Sequence, residues 1–78
     1  MPKNEDYLNS KLEWSQRRMD ALDQIEAKLK MMKKLAEFAR DYKLNSKQIE
    51  QINAKLHRYR QEVIFLDEQS KTFWLDAH

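Results

Sequence analysis

His57 and His78 are the two imidazoles of this chain, and an imidazole can bind a metal or carry a proton once a second ligand or an orienting carboxylate stands at helical spacing from it. His57 has Asn53, Ala54 and Gln61 in those positions, none of them a strong ligand. Ala54 also occupies the place where the Glu-x-x-His motif of di-iron bundles would put its glutamate. His78 is the last residue. The carboxylates are numerous but fall on outward faces, and no hydroxyl sits beside a base in a pattern that would activate it. With 0 cysteines and 0 glycines, the chain offers no thiolate site, no disulfide and no Gly-rich phosphate loop. The expectation is a protein that is not an enzyme, with no catalytic, cofactor-binding or metal-ligating residue and no small-molecule substrate.

Phosphate binding is the second chemistry to weigh. The net charge is +2, but residues 28–60 carry ten basic side chains against three acidic ones, while residues 1–27 sum to −2 and residues 61–78 to −3. Lys28, Lys30, Lys33, Lys34, Arg40, Lys43 and Lys47 could contact phosphates, and Phe38 and Tyr42 could stack on bases. Nucleic-acid binding by this loop-proximal region is the alternative functional reading. Against it stands the helical spacing of those aromatics, which suits a packed face.

What would position any of these groups is a pair of helices. Ile49, Ile52, Leu56, Tyr59, Val63, Leu66, Ser70 and Phe73 alternate in steps of three and four, the seam of a coiled coil. In the first half, Leu8, Leu12, Ser15, Met19 and Leu22 form one such run, and Leu22, Ile25, Leu29, Met32, Ala36 and Ala39 another. They join at Leu22 through two consecutive steps of three, a stammer. The only proline is Pro2. Asn4 with Glu5 and Asp6 reads as a helix start. At the other end Asn45 reads as the cap of a second helix, with Gln48 completing a capping box and Leu44 and Ile49 placed for a hydrophobic staple. Lacking glycine, the turn is expected to use Asn45 for any left-handed conformation. The chain is thus predicted to be one all-α domain over 1–78, an antiparallel two-helix hairpin of coiled-coil type. Helix one covers about 5–40, the turn 41–45 and helix two 46–75.

Facing positions in such a hairpin should sum to 88, pairing Ala39 with Ile49, Ala36 with Ile52, Met32 with Leu56, Leu29 with Tyr59, Ile25 with Val63 and Leu22 with Leu66. Beyond them Arg18 would meet Ser70, so the open end is expected to be looser. Flanking charges agree, bringing Glu26 near Arg60 and Lys28 near Glu62.

More apolar residues remain than two stripes use. Met31, Leu35, Phe38, Ile64 and Phe65 are the expected self-association residues, and the hairpin is expected to dimerise into a four-helix bundle. Head-to-tail packing would lay the basic loop end of one copy beside the acidic open end of the other. Tyr7, Trp14, Phe73 and Trp74 crowd the open end and are candidate anchors for another protein, since Trp and Tyr dominate interface energetics. The longest apolar run, Val63-Ile64-Phe65-Leu66, is far below the roughly 20 residues that cross a bilayer. No secretory signal is evident at the N-terminus. The function expected is therefore a cytoplasmic protein–protein association module: an adaptor, regulator or small scaffold with no membrane role.

Overall fold

The computed structural model describes residues 2–76, and side chains within residues 5–71. Two helices make up the fold: α1 (Pro2–Asp41, 40 residues) and α2 (Ser46–Asp76, 31 residues). They fold back on each other into an antiparallel hairpin with principal extents of 65 × 17 × 9 Å. The long axis matches 40 residues at about 1.5 Å each. Helix α1 begins earlier than a cap at Asn4 would allow, which places Asn4 inside the helix. Proline in the first turn gives up only an N–H that has no intrahelical acceptor, so Pro2 is no barrier there.

The turn forms for the reason its sequence suggests. The Gln48 backbone N–H donates to Asn45 Oδ1 at 2.8 Å, and the Asn45 N–H donates to Gln48 Oε1 at 3.0 Å, a reciprocal capping box. Ile49 N–H to Asn45 C=O, 3.0 Å, is the first helical bond beyond it. Asn45 does not adopt a left-handed conformation, for no described residue has a positive φ. Four residues, 42–45, suffice to reverse the chain with ordinary backbone geometry, and Leu44 lines a hollow together with Leu35, Phe38 and Ile52.

The α2 seam follows the spacing in the sequence: Ile52, Leu56, Tyr59, Val63 and Leu66 are half-buried and Ser70 is buried. Ile49, next to the turn, is the exception and is exposed. The α1 seam differs. Trp14, Arg18, Ala21, Ile25, Lys28, Met32, Leu35 and Ala39 are covered in an unbroken alternation of four and three with no stammer, and Ser10 and Glu37 are half-buried outside it. Ile25, Met32 and Ala39 belong to the expected stripe, whereas Leu22, Leu29 and Ala36 are exposed, their places in the seam taken by Ala21, Lys28 and Leu35. Register nonetheless agrees with the expectation. Arg18 contacts Ser70, a sum of 88, and the Lys28 ammonium lies 5.9 Å from the centre of the Tyr59 ring.

The rotation follows from polar satisfaction. Turning Arg18 and Lys28 inward gives Asp67, Ser70 and Glu62 of α2 their partners, and Lys28 covers the seam with its methylene stem while its ammonium reaches Glu62 at 2.9 Å. The Lys28–Glu62 attraction is thus as expected. Glu26, by contrast, pairs with Lys30 on its own helix at 3.2 Å. Ala21 and Ser70 are each 6 % exposed, and no large side chain among the described residues is wholly enclosed.

Candidate functional site

Among the described residues, a connected group of side chains lies toward the open end, where the sequence suggested looseness. Arg18 reaches across from α1 with one Nη1, donating to Asp67 Oδ1 at 2.9 Å, to the Asp67 carbonyl at 3.3 Å and to Ser70 Oγ. Trp14, one turn earlier, donates its indole N–H to the Ser70 carbonyl at 3.0 Å. Ser70 donates back to the Asp67 carbonyl at 3.0 Å, and Lys71 holds the second Asp67 oxygen at 2.8 Å. Hydrogen bonds from Lys71, then from Arg18, hold the Asp67 carboxyl below its ordinary pKa. Glu62 is lowered in the same way by its bond to Lys28. These are structural ties between two helices. They fix the register, because a one-heptad slip would break all the cross-helix bonds together.

Trp14 is thus half-buried in the clasp of the hairpin. Tyr7 is exposed beneath the Lys11 ammonium, 5.0 Å from the ring centre. The side chains of Phe73 and Trp74 lie outside the described residues. His57 is exposed, and among the described residues no cluster of histidine and carboxylate side chains could hold a metal.

The expected self-association residues divide between two sides of the hairpin. Met31, Leu35, Phe38 and Phe65 line shallow hollows that share Gln24 and Lys28 or run on toward the turn, forming an interrupted groove along one side. Ile64 lines none of these hollows and is exposed on the other side.

A longer stripe occupies that other side. Leu22 follows Arg18 by four residues and so sits about 40° round the helix from it. Leu8, Leu12, Met19, Leu22 and Leu29 share this flank, 45 to 68 % exposed, and none of them lines the groove. By apolar spacing alone these residues belong to the hairpin seam, and the structure turns them outward. The signal that separates the two stripes is the unbroken spacing from Trp14 to Ala39, masked in the sequence by Arg18 and Lys28.

On α1, Lys30, Lys33, Lys34 and Arg40 fall within an arc of about 120°. Lys33 and Arg40, seven apart, share a side of α1, but Lys34 is turned about 100° from Lys33. Lys30 is paired with Glu26 at 3.2 Å and Arg40 with Asp41 at 2.8 Å, while Lys43 lies in the turn and Lys47 just after it, both exposed. Phe38 and Tyr42 stack on each other, ring centres 4.6 Å apart. No helix among the described residues is long and apolar enough to cross a membrane. The chain matches no protein-family model, no curated protein and no solved structure.

Proposed function

We propose that this chain is a non-enzymatic protein–protein association module, a helical hairpin that works as a homodimer and serves as an adaptor, regulator or small scaffold for another protein in the cytoplasm. The observation that carries the reading is the amount of apolar side chain left in water on both flanks of the seam, from Leu8, Leu12 and Met19 to Phe38 and Phe65. A patch of that extent is costly in a monomer and ordinary at an interface. Light scattering across a concentration series tests it. A mass of twice 9.5 kDa is the expected result, and 9.5 kDa persisting to about 100 µM, a concentration at which even weak dimers form, overturns it.

Nucleic-acid binding through Lys30, Lys33, Lys34, Arg40, Lys43 and Lys47 is the competing proposal. It predicts retention on DNA that falls steeply with salt, whereas the association reading predicts none near physiological salt.

A further inference from the structure

We infer that the outward stripe of α1 is the docking site for a second copy of this chain, α1 against α1 and antiparallel, with the two-fold axis between Met19 and Leu22. This rests on the association reading and adds to it a surface and an orientation. The stripe has the same alternation of three and four as the hairpin's own seam, continued from Glu5 to Arg40, and that spacing keeps a face turned toward a partner helix along its whole length.

Area supports a partner of this size. The chain exposes 6598 Å², where a compact monomer of 9.5 kDa exposes about 5,000 Å². The excess is larger than the roughly 800 Å² that each member of a stable complex hides.

Charge selects a second copy and its direction. The stripe is acidic at its start, Glu5, and basic at its end, Lys33 and Arg40. Antiparallel pairing about Met19 and Leu22 sets Glu5 of each copy opposite Ala36 of the other, between Lys33 and Arg40, and does so at both ends by symmetry. Parallel pairing would set Glu26 on Glu26 and Lys33 on Lys33. In the antiparallel register Met19 meets Leu22 and Leu12 meets Leu29, each pair occurring twice, so the four central apolar positions find apolar partners. Ser15 and Glu26 share the layers between them, and the stem of Lys33 covers Leu8 while its ammonium reaches toward Glu5. This reciprocity about an internal point is what self-recognition requires.

Single cysteines test the geometry cleanly, because the chain has none of its own. Leu12→Cys mixed with Leu29→Cys is expected to oxidise readily to disulfide-linked dimers, as is Met19→Cys mixed with Leu22→Cys, whereas Leu12→Cys alone is not. Leu22→Glu should weaken dimerisation by about a hundredfold with helicity by circular dichroism unchanged, since Leu22 is exposed in the hairpin. Efficient self-linking at Leu12 would establish a parallel pair and overturn the inference. A dimer by scattering that links through Phe65→Cys and not through the stripe would also overturn it, leaving the association reading intact. A monomer at every concentration would remove both.

Discussion

Asp67 is the residue on which the open end of the hairpin turns, since it receives Arg18 from across the seam and Lys71 from its own helix. Its carboxyl is held below the ordinary value, so the tie is fully present above the unfolded carboxylate pKa of about 3.9 and is lost as pH falls through the lower folded value. Trp14 fluorescence, read in a Trp74→Phe background, should therefore be constant from neutral pH to about 4 and change below it. Asp67→Asn should remove that acid step. Ala21 provides a second prediction at this scale. It is nearly enclosed, so Ala21→Leu should overpack the seam and cost about 1 to 3 kcal/mol of hairpin stability in thermal or denaturant unfolding. Leu22→Ala, one residue away and exposed, should cost the hairpin far less while weakening self-association.

The two helices were legible to different degrees. The α2 seam and the capping box at Asn45 could be read directly, because apolar spacing and side-chain-to-backbone capping are local properties. Asn45→Ala should accordingly destabilise the hairpin by about 1 kcal/mol, measured by the shift in its unfolding midpoint. The face of α1 could not be read from apolarity alone. Two stripes overlap on that helix, and the more hydrophobic one, through Leu22 and Leu29, is the one turned outward. The inward stripe carries Arg18 and Lys28, whose value depends on Asp67, Ser70 and Glu62 being opposite them. Such pairing is a property of two elements together, and a scan of one helix weighs charge as a mark of solvent. The same cause hid the clasp around Ser70, where polar residues suggested a loose end.

At the scale of the molecule, elongation dominates. A radius of gyration of 18.3 Å compares with about 11.5 Å for a globular domain of 78 residues, so the hairpin has little interior and much flank. If folding is linked to assembly, the thermal midpoint should rise with protein concentration, and a midpoint independent of concentration over a hundredfold range would separate the two processes. The charge layout works at this scale too: the basic stretch around the turn lies far from the acidic open end, and the proposed antiparallel pairing of copies would relieve both.

The scarcity of enclosed side chains, with only Ala21 and Ser70 well covered among the described residues, has a bearing on supply and turnover. A chain that hides so little by itself is expected to open readily and to be cut by proteases in that open form, which limited proteolysis would measure. If the chain assembles as proposed, surplus copies made without a companion are expected to be cleared first, so that the steady-state level in a host tracks the number of completed assemblies and not the rate of synthesis.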